Sequence, residues 1–275
     1  VADSVPVVVE SSPLRATVEC LFATDASRLV VRYSLCAASE QLDVSLEADW
    51  HEQERRLQWS LPTDLRALDA TCGTQFGHVR RARHSNTTWD IARFEVCAHR
   101  YVAISEPSFG AAILADGPRG YDIRGDELQL TVLRSPKFPD PEADLGHQHL
   151  QWSVSLLDGD PLTNGIENTA ALMAHPVRIL DGVPRVPASV ISLDVPGALI
   201  SAVKPADDGS DDIIVRLWET RGGRTNGVLT IDGVTAAQTC NALEDAGAPL
   251  NVSANGTLAI ELQPFEIMTL RVTQD

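Results

Sequence analysis

The stretch "FEVCAHRYVAISEPSFGAAILADGPRGYDIRGDELQLTVLR" (94–134) sets the fold class. It holds three short apolar runs: "FEVCAHRYVAI" (94–104), "FGAAILA" (109–115) and "LQLTVLR" (128–134). In "LQLTVLR" apolar and polar residues alternate with period two, as on a strand with one face turned to a core. The turn-forming segments "ADGPRG" and "RGDE" separate the later runs. Glycine, proline and aspartate punctuate a chain in this way because each favours a tight reversal. Strands that follow one another so closely, with no helical period between them, build antiparallel sheets and not βαβ units.

The same grammar extends outward. Upstream lie "ATVECLFA" (16–23), "RLVVRYSLC" (28–36) and "LDVSLEADW" (42–50), and downstream lies "LQWSVSLL" (150–157). Near residue 158 the character shifts: "DGDPLTNGIENTAALMAHPVRILDGVPRVP" (158–187) predicts one short helix at roughly 164–174 and then a Pro-rich linker. A second strand series follows, with runs at 189–195, 199–205, 211–220, 226–232, 257–263 and 265–273. The fold expected is all-β. Residues 1–160 form a large antiparallel β-supersandwich, 161–185 a linker with the short helix, and 186–275 a smaller C-terminal β-sandwich. Within the second series, Gly222-Gly223 in "ETRGGRTNGV" (219–228) predicts the tight primed turn of a hairpin. Pro264 lacks a ladder donor and marks a break or an edge.

The chain has 275 residues and a formal net charge of −16. That surplus argues against nucleic acid and anionic membrane surfaces as partners, since both recruit basic patches. No apolar run approaches the roughly 20 residues of a membrane helix. "VADSVPVVVE" (1–10) has no basic start, no long apolar centre and no cleavage motif, so it does not read as a signal peptide. The chain opens at Val1 in strand-like sequence, which predicts a piece of a longer protein. The five cysteines (Cys20, Cys36, Cys72, Cys97, Cys240) are odd in number and show no C-x-x-C spacing. They read as unpaired thiols in a reducing compartment. The sequons at Asn86, Asn251 and Asn255 carry meaning only in a secreted eukaryotic protein.

Three polar clusters invite chemistry. "LRSPKFPDPEADLGHQHLQW" (133–152) gathers Asp140, Glu142, Asp144, His147 and His149. These are metal-ligand types, but Pro139 and Pro141 flank Asp140 and bar a helix that would align them. His147 and His149, two apart, would share one strand face. The alternative is a solvated loop feeding the next strand. In "EADWHEQERRLQW" (47–59), an extended backbone puts Asp49, His51 and Gln53 on one face and Trp50, Glu52 and Glu54 on the other. Glycoside hydrolysis needs carboxylates opposed across a cleft, which neighbours in one strand do not supply. A structural strand with Trp50 in the core is the simpler reading. "HVRRARHSNTTWD" (78–90) combines Arg, His, Asn and Trp, a set suited to sugars or anions and equally to a long surface loop. No nucleophile elbow, phosphate-binding glycine loop or H-E-x-x-H appears. The residues themselves assign no catalytic group and no metal site.

Read in order, several segments resemble the C-terminal β region of glycoside hydrolase family 38, the α-mannosidases. They are "ADWHE" (48–52), "FGHVRRARHSNTTWDIARFEVCAHRYVAISEPSFGAAILADGPRGYDIRG" (76–125), "LTVLRSPKFPDPEADLGHQ" (130–148), "IIVRLWETRGG" and "LQPFEIMTLRV". The set looks closest to the bacterial and cytosolic type, which implies a cytoplasmic protein. Two departures stand out. The family commonly reads Arg-Pro-Thr-His where this chain has Arg81-Ala82-Arg83-His84, and it differs from "ILADGPRGYD" (113–122) as well.

The resemblance implies a galactose mutarotase-like supersandwich followed by a smaller sandwich. It implies retaining hydrolysis of α-mannosides, with zinc, the nucleophile and the acid/base aspartate all in an N-terminal catalytic domain that precedes this region. That domain and the α-mannoside are then the expected partners, and no catalytic or metal residue is expected here. The loops at 78–90 and 134–148 are the ones expected to face the cleft. His84, Asn86, Asp90, Arg134, Asp144 and His147 are the candidates for hydroxyl binding or inter-domain pairing, or else for holding loop shape. An autonomous carbohydrate-binding module and a purely structural or homo-oligomerising domain stay open as alternatives. A sugar platform needs exposed aromatics, and most of the 14 aromatics here alternate with polar residues in strands, as core residues do.

Overall fold

The computed structural model describes residues 2–178, 181–182 and 190–274. The Pro-rich segment read as a linker falls in large part on 179–180 and 183–189, outside the described residues. The chain divides into two compact units: residues 1–74 with 79–176, and residues 75–78 with 177–275.

The first unit opens with β1 (Ala2–Asp3), β2 (Val7–Ser11), β3 (Arg15–Ala23), β4 (Arg28–Cys36) and β5 (Gln41–Trp50). Next come β6 (Arg56–Pro62), β7 (Asp69–Thr74), β8 (Gly77–Ala82) and the single-turn helix α1 (Thr88–Ile91). They are followed by β9 (Val96–Cys97), β10 (Tyr101–Glu106), β11 (Phe109–Ala115), β12 (Gly120–Asp122), β13 (Glu127–Arg134), β14 (Gly146–Leu157) and α2 (Ile166–Ala174). Nine of these strands run in the order β1-β3-β4-β5-β14-β11-β10-β7-β8, with β2 also on β3, making a ten-stranded sheet. A four-stranded sheet has the order β6-β13-β12-β9.

The two sheets enclose the core. In β5 the inward positions Val44, Leu46, Ala48 and Trp50 are each 3% exposed or less, and they alternate with more exposed residues as the sequence alternates. Strands β10 and β11 are buried on both faces. Val102, Ile104, Ala111 and Ile113 join the inter-sheet core. Tyr101, Ala103, Ala112 and Leu114 pack on the other side against Ile166 and Ala170 of α2. The alanines of "FGAAILA" are small enough to let the helix approach the sheet. Burying each large aliphatic side chain contributes about 1.5–3 kcal/mol before entropy is counted.

The opening stretch departs from the single long strand expected at 94–104. The run is cut between Cys97 and Tyr101, where Arg100 takes a left-handed φ of 71°. Strand β9 pairs with β12 in the small sheet, and β10 pairs with β7 and β11 in the large one. The chain therefore changes sheets at Arg100. A second change of sheet separates β5 from β6, with Glu54 at φ 53°. Period-two alternation does not mark such crossings, because both sheets bury a face toward the same core.

The second unit carries β15 (Ile191–Asp194), β16 (Ala198–Pro205), β17 (Ile213–Glu219) and β18 (Thr225–Ile231). It ends with β19 (Val234–Cys240), β20 (Ala246–Leu250), β21 (Thr257–Leu262) and β22 (Ile267–Gln274). Sheets of order β15-β18-β21 and β16-β17-β22-β19-β20 enclose a core of Val215, Leu217, Leu229, Ile260, Leu270, Val272 and similar residues. The hairpin expected at Gly222-Gly223 is not formed, because β17 and β18 lie in different sheets. Gly222 alone of the pair has a positive φ, 72°. The bend is organised instead by the Glu219 carboxylate, which accepts from the N–H groups of Arg221, Gly222, Gly223 and Phe265 at 2.7–3.2 Å. Pro264 does sit at a break, between β21 and β22.

All five cysteines are free thiols. Among the described residues no helix is long and apolar enough to cross a membrane.

Candidate functional site

Two grooves in the first unit collect the loops singled out in the sequence. The first, about 510 Å³, is lined by the end of β8, α1 and β12, including Arg80, Arg81, His84, Asp90, Arg93 and Arg124. The second, about 550 Å³, is lined by the 117–120 turn, β13 and the start of β14, including Arg134, Asp144 and Gln148. Glu95, Val96 and Cys97 line both and form a shared wall.

The first groove is held by a buried guanidinium. Arg83 is 7% exposed. Its Nε donates to the Ile123 carbonyl at 2.8 Å, its Nη1 to Leu65 and Ala67 at 3.3 Å each, and its Nη2 to Gly125 at 2.5 Å. This clasp occupies one of the positions where the sequence leaves the family pattern. It ties β8 to the 65–67 loop and the 123–125 turn, and it delivers His84 to the groove. Burial lowers the Arg83 pKa, but four carbonyl acceptors suit a planar fork of donors.

Beyond it, Thr87 caps α1. Its hydroxyl accepts from the Asp90 N–H at 3.2 Å, while the Asp90 carboxylate accepts from the Thr87 N–H at 3.1 Å and from its hydroxyl at 2.8 Å. This is a capping box with aspartate in the glutamate position. His84 Nδ1 lies 3.5 Å from Asp90 Oδ2. The Thr87 hydrogen bonds, with the charges of His84 and Arg93, hold the Asp90 carboxyl below the usual carboxylate range. At the far wall, burial pushes the Asp122 carboxyl up, but hydrogen bonds and charge from Arg124 outweigh that and leave it lowered. The Arg124 side chain also meets the Phe94 carbonyl at 3.1 Å and lies 6.0 Å from the Phe94 ring centre. Phe94 is 69% exposed and Trp89 80% exposed, so these two aromatics are not core residues.

In the second groove the Asp144 carboxylate accepts the Arg134 N–H at 2.8 Å, which closes the 134–144 loop on itself. Asp144 sits at φ 61°, a left-handed conformation that aspartate tolerates. Asp140 likewise accepts from the Glu142 N–H at 2.9 Å. Strand β14 begins at Gly146, earlier than its apolar run, so His147 and His149 do stand two apart on one strand, both exposed. His147 is paired in register with Asp49, whose carboxylate meets His51 Nε2 at 2.8 Å.

The six candidates therefore separate. His84 and Asp90 meet in one groove, and Arg134 and Asp144 meet in the other. Asn86, on the exposed 84–87 loop, and His147 line neither. Sequence reasoning passed over Glu95, which links the grooves. Its Oε1 accepts from Arg56 Nη1 at 2.9 Å and also from the Thr131 hydroxyl. In the 47–59 cluster, Trp50 is a core residue, 3% exposed, with its indole N–H on Ser135 Oγ at 2.7 Å. Glu52 turns inward to 7% exposure, and its carboxyl is lowered by hydrogen bonding from Thr24 and the charge of Arg55.

These grooves offer donors and acceptors of both signs. Most carboxylates in them are already committed to backbone N–H groups or to arginines. Among the described residues, no three His, Cys, Asp or Glu side chains gather as they would around a metal ion. Such a set of donors and acceptors could receive a polar ligand.

The family model described as "Glycosyl hydrolases family 38 C-terminal domain" matches residues 1–142. That of "Glycosyl hydrolases family 38 C-terminal beta sandwich domain" matches residues 198–270. Human "Alpha-mannosidase 2C1" is 34% identical over 232 residues, spanning 82% of this chain and 22% of that protein. "Alpha-mannosidase G" of Dictyostelium discoideum is 30% identical over 286 residues, spanning 96% of this chain and 26% of that protein. The chain thus spans about a quarter of the length of these curated relatives. The crystal structure of an alpha-mannosidase from Enterococcus faecalis V583 shares the fold, with a TM-score of 0.79 at 17% identity over 98% of this chain and 35% of that one. The ordered motifs, the two sandwiches and these matches agree: the chain belongs to glycoside hydrolase family 38, as part of its C-terminal region.

Proposed function

We propose that the chain is the C-terminal β portion of a retaining α-mannosidase, that it supports a catalytic domain encoded with it, and that its two grooves border the cleft in which an α-mannoside is held. The supporting observation is the shared wall at Glu95–Cys97. It joins the 78–90 and 134–148 loops, both within the family-like segments, into one polar margin with arginines on both sides. Arginine forks donate to sugar hydroxyls, and a margin shaped by carboxylate–backbone bonds keeps those forks in place. Bond cleavage with retention needs two carboxyls about 5–5.5 Å apart. In this reading they, and the zinc, belong to the catalytic domain. Among the described residues the donor groups do not fit a zinc centre, so no step here runs through the metal.

The chain then binds, orients and excludes water, and does not cleave. Its unpaired thiols support a cytoplasmic setting. The test is kinetic. In the α-mannosidase comprising this chain and its catalytic domain, Arg93→Ala and Arg134→Ala are each expected to raise KM for an aryl α-mannoside about tenfold, with a smaller change in kcat. Unchanged KM in both variants would contradict a cleft-bordering role.

A further inference from the structure

A third cavity, about 370 Å³, opens between the two sheets of the first unit. Its walls are apolar: among aliphatic side chains such as Leu29, Leu46 and Val132 stand four aromatic rings, Tyr33 from β4, Trp50 from β5 and Trp152 from β14 on one side, and Trp59 from β6 on the other. The Trp59 and Trp152 rings meet edge to face, with centres 5.8 Å apart and planes at 61°, so they form a corner. Two of the rings are pinned. Trp59 Nε1 donates to the Tyr33 hydroxyl at 3.3 Å, and Trp50 Nε1 donates to Ser135. The Trp152 indole N–H is different. The residue is 2% exposed, and its Nε1 has no hydrogen-bond partner in the fold. A buried donor left unmade is uncommon and calls for an explanation.

The same cavity is polar at one end, where Glu52, Arg55, Arg56 and Gln58 line it. The Arg55 and Arg56 side chains are 66% and 45% exposed, so this end is the mouth. Glu52 is buried, with Oε2 3.2 Å from Arg55 Nη1. An anionic ligand would meet the Glu52 carboxylate, and a cationic one would meet two arginines. A neutral ligand rich in hydroxyls can use donors and acceptors alike. Flat aromatic walls favour a ring with an apolar face, and the volume falls in the range of small-molecule sites, roughly 300–1,000 Å³.

We infer that this cavity is a binding site for one neutral pyranose, its apolar ring face against Trp59 and its hydroxyls toward the Trp152 indole N–H and toward Arg55, Arg56 and Gln58. The inference goes beyond the cleft-bordering role and does not depend on turnover.

Three of the five tryptophans line the cavity, so intrinsic fluorescence reports on it. The 275-residue chain would be titrated with methyl α-mannopyranoside and methyl α-glucopyranoside. Saturable spectral change at millimolar sugar is expected, weakened about tenfold or more by Trp59→Ala and by Gln58→Ala. Gln58→Ala removes a boundary side chain and leaves the core intact, and circular dichroism checks the fold of both variants. Leu243→Ala, at an exposed position in the second unit, should bind as the parent does. The inference is overturned by the absence of saturation, by binding that both cavity variants retain, or by equal binding of cyclohexanol. Each of these outcomes can occur in a protein whose mannosidase activity is intact, so failure here is distinguishable from failure of the proposed function.

Discussion

Two glutamates, one in each unit, are buried to nearly the same degree and are treated in opposite ways. Glu219 of the second unit is 1% exposed, and its carboxylate is saturated by four backbone N–H groups. Glu167 of the first unit is 3% exposed and, in place of backbone donors, faces Arg100 Nη2 at 3.5 Å and the Tyr101 hydroxyl. Burial pushes the Glu167 carboxyl up from 4.5 to about 7, against the pull of Arg100. The contrast runs through both units. The core of the second is aliphatic, and its buried charge is spent on a bend. The first keeps aromatic rings, arginines and carboxyls around open grooves and a cavity.

That contrast can be broken at its strongest point. Glu219→Ala would leave four donors without their acceptor and should destabilise the second unit by about 3–5 kcal/mol, read by denaturant unfolding. A loss below about 1 kcal/mol would mean that water replaces the carboxylate at little cost. Arg83→Thr, toward the family residue, empties the clasp on four carbonyls. It should cost about 2–3 kcal/mol and loosen the His84 loop, visible as faster amide exchange in residues 84–90.

Glu167 sharpens the comparison through pH. Its folded pKa is above the ordinary value, so between pH 4.5 and about 7 the folded protein holds a proton that the unfolded chain has released. The stability it contributes is full below pH 4.5 and is lost as pH rises through about 7. Glu167→Gln should therefore melt close to the parent at pH 5 and above it at pH 8; the reverse order would show that the Arg100 ion pair outweighs burial. The smallest effect is expected at Asp90. Asp90→Ala removes half of the capping box and should cost about 1 kcal/mol or less, read by denaturant unfolding.

Much of this was legible in the sequence. Strands such as β3, β4, β5 and β13 follow their alternating runs closely, because one face of each meets a core. Others gave no such signal. Strand β20, "AGAPL", is an exposed edge carrying Pro249, and β19, "VTAAQTC", has little large apolar content. The helix α1 rests on a capping box in which aspartate replaces the commoner glutamate or glutamine. The pairs His84–Asp90 and Arg134–Asp144 were within reach of sequence reasoning because each lies in one loop. Glu95, Arg83 and Glu219 were not: each charge is satisfied by residues distant in the chain or by backbone, and only the folded arrangement brings those together. The aromatics followed the same division, with Trp50 and Trp152 buried as expected and Trp89 and Phe94 exposed.

The most direct test is the hydrolysis of an aryl α-mannoside, with zinc present, by this chain alone and by the same chain joined to its catalytic domain. No turnover by the chain alone and ready turnover by the joined protein are expected. Measurable turnover by the chain alone would contradict the view that its grooves bind and border without cleaving.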